Sequence, residues 1–206
     1  MNFGPIFLRL FKINFVLALH SNLPWVFFSK MPGNILRNKF TKFIMEKSII
    51  ACDSLIVDSY FAKKEIVDLM KIKDDKVSVI YLGIDQKYLS PEKNDYYLDN
   101  FDYKNYIISV LSCVKYHNII NLLKAFKLFK EDNKNNLKLV FVLQILDKKY
   151  FSEIKKFIDK NFFQNEIIFL YNLDNKYLVN LYKKANLFIF SSYCEVFGLT
   201  SLEAMT

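Results

Sequence analysis

Short, nearly continuous apolar runs recur along the chain at residues 15–19, 54–57, 77–81, 106–111, 138–143, 167–170 and 187–191. Runs of this length predict strands buried on both faces, as in parallel sheets. Between them, apolar positions follow the helical repeat at 38–52, 60–70, 118–130, 150–161 and 176–185. The segment NIINLLKAFKLFK at 118–130 shows that repeat most clearly. Strand followed by helix, repeated, predicts an α/β doubly wound architecture. Phe126, Phe129, Phe141, Phe169 and Phe188 fall at core spacing.

The alternation breaks once, at QKYLSPEKNDYYLDNFDYKN, residues 86–105, which holds Pro91 and many polar residues with no clear period. This predicts a linker at 91–105 between two lobes, 1–90 and 106–206. Ligands of such sheets sit outside the carboxyl ends of the strands. At the start of the chain, a short helix is expected at 5–12. The apolar run at 13–19 is too short to span a bilayer, and no small-residue cleavage site follows it, so a signal peptide is not expected.

Composition narrows the function classes. Hydrophobic residues make up 52% and aromatics 17% of 206 residues, which argues against disorder. The net charge of +8 fits either a solvated lysine-rich surface or attraction to phosphate or anionic lipid. No RGG tract, zinc-finger spacing or aromatic RNA-binding motif accompanies it, so nucleic acid is not an expected partner. Cys52, Cys113 and Cys194 form no CxxC pair, and their odd number suits reduced thiols in the cytoplasm. The two histidines and three cysteines are scattered, so no metal or other cofactor is expected.

Candidate chemistry gathers near the end of the chain, in CEVFGLTSLE at 194–203. The last predicted strand ends at Ser191, so Glu195 falls in the loop at its carboxyl end. Helix formers follow from Leu199, which puts Gly198 at the turn into a helix. Free N–H groups at a helix start bind anions, and glycine lets a phosphate approach. A carboxylate facing a sugar or ribose accepts hydrogen bonds from two hydroxyls. The outline is that of a nucleotide-sugar site. A glycine turn between two solvated glutamates is the competing reading.

Five stretches, falling in family order along the chain, make a specific resemblance. CEVFGLTSLEAM resembles the E-x7-E signature of the retaining glycosyltransferases of family 4, which have the GT-B fold. KKANLFIFSS, just before it, is similar to the family's A-D-x-F-V-x-P-S segment. ACDSLIVDSYFAKKEI at 51–66, followed by VSVIYLGID at 77–85, resembles the A-D-x-I-I-x-x-S and V-x-V-I-P-N-G-I-D stretches. YIISVLSCVKYHNIINLLKAF at 106–126 resembles the strand, loop and helix that open the donor lobe. The matches cover nearly the whole chain from about Phe15.

The resemblance implies two Rossmann-like lobes with parallel sheets: the C-terminal part of an acceptor lobe (1–90), and a donor-binding lobe (106–206). It implies that Glu195 lies near the donor sugar and Glu203 on the ribose, with Phe197, Gly198, Leu199 and Thr200 against sugar and diphosphate. His20, in LALHSNLPW, would contact the donor sugar from the acceptor side. The base pocket would fall near residues 171–173. The implied partners are a nucleotide-sugar donor and a glycan or lipid-linked hydroxyl acceptor, with retention at the anomeric carbon and a role in polysaccharide biosynthesis. Trp25, Phe27 and Phe28 in PWVFFSK suit an acceptor-side loop, a membrane-touching patch or core packing. Lysine groups such as Lys63-Lys64 and Lys155-Lys156 are mostly solvated, and they leave room for peripheral contact at the inner face of a membrane.

There are departures. The family's donor-lobe loop carries an arginine and a lysine that neutralise the diphosphate, and here Ser112 and His117 stand there. Asn118 fits one variant of the pattern, and Lys115 is the nearby substitute cation. The first β-α units of the acceptor lobe and the closing strand and helices of the donor lobe are not in the sequence. The expectation is therefore a fragment of a larger enzyme, or one chain of a split transferase whose partner supplies the missing units. The alternative is a non-catalytic nucleotide-sugar-binding subunit or scaffold. A sugar-nucleotide epimerase fits the E-x7-E match less well.

Overall fold

In the computed structural model, residue 8 and residues 11–89, 105–133, 135–161 and 164–206 are described. The expected helix at 5–12 and the linker at 91–105 lie almost wholly outside them. The chain divides into two units, Met1–Gly83 with Cys194–Phe197, and Ile84–Tyr193 with Gly198–Thr206.

Unit 1 is built on three parallel strands in the order β1-β2-β3: Val16–Leu19, Ser54–Val57 and Val77–Val79. β1 and β2 pair in a constant register from Val16 opposite Ser54 to Leu19 opposite Val57. The register is anchored below by Asp53, whose N–H donates to the Phe15 carbonyl at 3.0 Å while its carboxylate accepts from the Phe15 N–H at 2.9 Å. Helix α1 is Leu23–Val26, α2 Ile35–Ala51 and α3 Tyr60–Met70. α2 starts three residues before the expected position because Asn34 caps it, accepting from the Leu36 N–H. Ser59 caps α3 through the Ala62 N–H. Ile49, Leu55, Val57 and Ile66 are fully buried between helices and sheet. Each such side chain contributes about 1.5–3 kcal/mol of burial.

Unit 2 holds four parallel strands in the order β6-β5-β4-β7: β4 Tyr106–Cys113, β5 Lys138–Ile145, β6 Ile167–Tyr171 and β7 Leu187–Phe188. Its helices are α4 Gln86–Leu89, α5 Ile119–Asp132, α6 Lys148–Lys160, α7 Asn175–Lys184 and α8 Leu199–Ala204. Alternate residues of β4 and β5 serve opposite cores. Ile107, Leu111, Leu139, Phe141 and Leu143 pack with α5 and α6, whereas Tyr106, Ile108, Val110, Val140 and Val142 pack with α7. This sandwiching explains why both strands read as unbroken apolar runs. The regular β7 is shorter than the run at 187–191. Ile189 still donates to the Ile108 carbonyl, but Ser191 and Ser192 turn away to donate to the carbonyls of His117 and Tyr116.

The order β6-β5-β4-β7 reverses direction at β4. The chain moves from β4 outward through β5 to β6, then returns to place β7 on the other side of β4. The crevice beyond the carboxyl ends of β4 and β7 is therefore the topological switch point of unit 2, where α/β sheets take ligands.

Candidate active site

In unit 1 the carboxyl ends of β1 and β2 carry His20 and Asp58. They extend the register one step past Leu19 and Val57. Nδ1 of His20 lies 3.0 Å from each carboxylate oxygen of Asp58. The imidazole is 62% exposed and the carboxylate 3%. Ser59 follows, its hydroxyl donating to the Val196 carbonyl at 2.7 Å. Val196 packs on the core of this unit, and the Phe197 ring lies 6.0 Å from that of Tyr81. Cys194 donates to the amide oxygen of Asn22 at 3.2 Å, and that buried amide donates to Glu65. Burial, with Glu65 and Glu195 nearby, pushes the Cys194 thiol up to about 11. Burial also raises the Glu65 carboxyl, while the Asn22 hydrogen bond partly offsets it. Glu195 is thus exposed on a segment held on both sides. Trp25 is anchored in the same unit, donating from Nε1 to Glu46 at 3.0 Å.

In unit 2 the loop after β4 carries Ser112, Lys115, His117 and Asn118. His117 is buried, and its Nδ1 donates to the Ser112 carbonyl at 2.5 Å. Its ring also meets Tyr116 edge-on at 4.3 Å. Lys115 is half exposed, 4.0 Å from Glu153. Asn118 takes the left-handed conformation, φ 60°, at the start of α5. It accepts from Asn121, whose amide also donates to the Tyr193 hydroxyl. At 171–173, Tyr171 ends β6 half exposed and Asn172 is left-handed at φ 48°.

Gly198 has φ 80° and leads directly into α8. A Cβ there would meet nothing closer than 3.8 Å, so the glycine is required by backbone conformation and not by space. Leu199 and Thr200 open the helix, and the Thr200 hydroxyl is buried with no hydrogen-bond partner among the described residues. Glu203 lies beside Tyr88 and Tyr182, lining with them and Val179 a cavity of 280 Å³. The Tyr88 hydroxyl hydrogen-bonds its carboxylate. Burial first, then the Glu203 charge, raises both phenols well above the ordinary tyrosine range.

The sequence candidates thus divide: His20, Glu195 and Phe197 belong to unit 1, and Ser112, Lys115, His117, Asn118, Gly198, Leu199, Thr200 and Glu203 to unit 2. Asp58, Ser59, Tyr88 and Tyr182 were missed. A signal for Asp58 was present, because parallel pairing of the runs at 15–19 and 54–57 makes the two residues that follow them neighbours. Among the described residues no three His, Cys, Asp or Glu side chains are grouped to hold a metal ion, and no helix is long and apolar enough to cross a membrane.

Residues 92–206 match the family model for glycosyl transferases group 1. The chain belongs to this family. Among its curated relatives, the O-antigen chain mannosyltransferase RfbU of Salmonella typhimurium is 22% identical over 93% of the chain and 49% of its own length. The alpha-1,3/1,6-mannosyltransferase ALG2 of Eremothecium gossypii is 26% identical over 79% of the chain and 38% of its own. The chain spans about half the length, or less, of the curated relatives it matches. Among solved structures, Anabaena HepE in complex with UDP and glucose superposes with a TM-score of 0.75 at 16% identity, covering 98% of this chain and 53% of that one. Sucrose-phosphate synthase from Thermosynechococcus elongatus gives 0.74 at 20% identity over 97% and 50%. These likenesses establish a GT-B-like α/β fold.

Proposed function

We propose that the protein transfers a sugar from a nucleotide-sugar donor to a hydroxyl of a glycan or lipid-linked acceptor, with retention at the anomeric carbon. In this reading Glu195 orients and stabilises the donor sugar, and Glu203 holds the ribose. Phe197, Gly198, Leu199 and Thr200 lie against the diphosphate, and His20 contacts the donor sugar. No metal is assigned a step, since the histidines and cysteines lack ligand spacing. The work is placed in the cytoplasm, with peripheral contact at the inner face of the membrane. One observation carries the reading: the two glutamates flank a left-handed glycine that opens α8, within the segment matching the family model. That HepE is seen with UDP and glucose, and that RfbU is named a mannosyltransferase, support the donor class.

A second reading, a nucleotide-sugar-binding subunit without turnover, is favoured by the loop after β4. Its only Lys or Arg at 112–118 is Lys115, which faces Glu153, and His117 is buried on a backbone carbonyl. Charge neutralisation of a leaving diphosphate is usually a large catalytic contribution. Nucleoside diphosphate release from a panel of UDP- and GDP-sugars separates the two. Turnover with at least one sugar, lost about a hundredfold in Glu195→Ala and with nucleotide binding weakened about tenfold in Glu203→Ala, supports transfer. Nucleotide binding without turnover, weakened in Glu203→Ala, supports the second reading. No nucleotide binding overturns both.

A further inference from the structure

We infer that Asp58 is a positioning residue. It holds the imidazole of His20 as the Nδ1–H tautomer, so that Nε2 is offered as a hydrogen-bond acceptor to a substrate hydroxyl. That the hydroxyl belongs to a sugar rests on the reading above; the Asp58–His20 relationship does not.

The pair is asymmetric in its exposure. Burying a carboxylate costs several kcal/mol unless it is paired. Asp58 is 3% exposed, and its paired partner is a ring left 62% open to solvent. A pair that served only packing would bury both members. An exposed imidazole needs no protein partner, because water satisfies it. Here the sheet commits a buried carboxylate to a side chain that points outward.

The chemistry of the contact selects the tautomer. An ionised carboxylate only accepts, so with both oxygens 3.0 Å from Nδ1 that nitrogen must carry the proton. The neutral ring then presents Nε2 as an acceptor. His117 provides the contrast within the same chain. Its Nδ1 is also bonded, but to a backbone carbonyl, and the residue as a whole is buried, as suits packing.

The support beneath Asp58 is rigid. It continues the β1–β2 register by one step, and the next residue, Ser59, is fixed twice, by the Ala62 N–H and the Val196 carbonyl. The pair stands at the carboxyl ends of parallel strands, where α/β sheets place ligand-binding groups. A first contact locked from behind by a hydrogen bond is the arrangement that precise orientation requires.

The test uses the full chain labelled with ¹⁵N-histidine, whose two imidazoles give two resolvable ring patterns. Wild-type His20 should show the Nδ1–H tautomer, and finding Nε2–H overturns the inference without any variant. In Asp58→Ala, His20 should shift to a mixture in which Nε2–H predominates, with the His117 pattern unchanged as the control for folding. An unchanged His20 pattern overturns the inference. In turnover assays, Asp58→Ala should lower kcat about tenfold to a hundredfold, the loss of one charge-assisted hydrogen bond, with KM changed less than about threefold. In a His20→Ala background it should cost nothing more, and an additive loss overturns the inference. If the wild-type chain turns over no nucleotide sugar, the transferase reading fails while the ring spectra still decide the role of Asp58.

Discussion

The Ser59 hydroxyl donates to the Val196 carbonyl at 2.7 Å, across 137 positions of sequence, while its oxygen accepts from the Ala62 N–H at 3.1 Å. One side chain therefore both caps α3 and fixes the segment carrying Glu195. Ser59→Ala loses both bonds and should lower stability by about 1–2 kcal/mol in urea denaturation. Ser59→Asp keeps a capping acceptor but has no proton to give Val196. It should recover most of the cap energy while leaving amide hydrogen exchange at Val196 and Phe197 faster than in wild type. Wild-type exchange there would show that the Val196 bond does not hold the segment.

Gly198 stands at φ 80° with open space around its missing Cβ. Substitution cost should then follow backbone preference and not size. Gly198→Ala should destabilise by about 1–2 kcal/mol, and Gly198→Asn by less, because asparagine tolerates the left-handed region better. Equal losses, read from thermal or urea unfolding, would point to a steric cause instead.

Much of the fold was legible because burial on two faces leaves an unbroken apolar run. β2 and α3 sit at their expected bounds, and β4, β5 and β6 extend theirs by one or two residues. The short regular part of β7 was not, since Ser191 and Ser192 look like strand residues until their hydroxyls find the carbonyls of 116 and 117. Within the candidate site, Glu195, Gly198 and Glu203 were visible as a local spacing. Asp58 was not, because its relation to His20 exists only through strand pairing at a separation of 38. Tyr88 lay in a stretch with no period, so nothing marked it as buried beside Glu203.

The phenols near Glu203 set an alkaline limit. Tyr88, Tyr106 and Tyr182 are all raised above the ordinary tyrosine value near 10, first by burial and, for Tyr88 and Tyr182, also by Glu203. Below pH about 10 these phenols are protonated both folded and unfolded and add no pH dependence. Above it the unfolded chain releases protons that the folded chain keeps, so stability falls as pH rises. Urea midpoints should therefore drop between about pH 10 and 11.5. Glu203→Gln removes the charge but not the burial, so its decline should be shallower without vanishing. A Glu203→Gln slope as steep as wild type would show that the charge contributes nothing to the effect.

Ser109 occupies the middle of β4, wholly buried, and its hydroxyl has no hydrogen-bond partner among the described residues. It shares a strand face with Ile107 and Leu111, which pack among apolar side chains of α5 and α6. An unpaired buried hydroxyl costs about 1–3 kcal/mol, while deleting its oxygen in Ser109→Ala leaves only a small void. The first effect should outweigh the second. Ser109→Ala is therefore expected to raise stability by about 1 kcal/mol, seen as a higher urea midpoint at unchanged slope. Because Ser109 lies inside β4 and not in the loop at 112–118, nucleotide binding should be unaffected. A loss of stability in Ser109→Ala would mean that the hydroxyl is satisfied in solution, and the core of unit 2 would then contain a polar contact that this packing does not reveal.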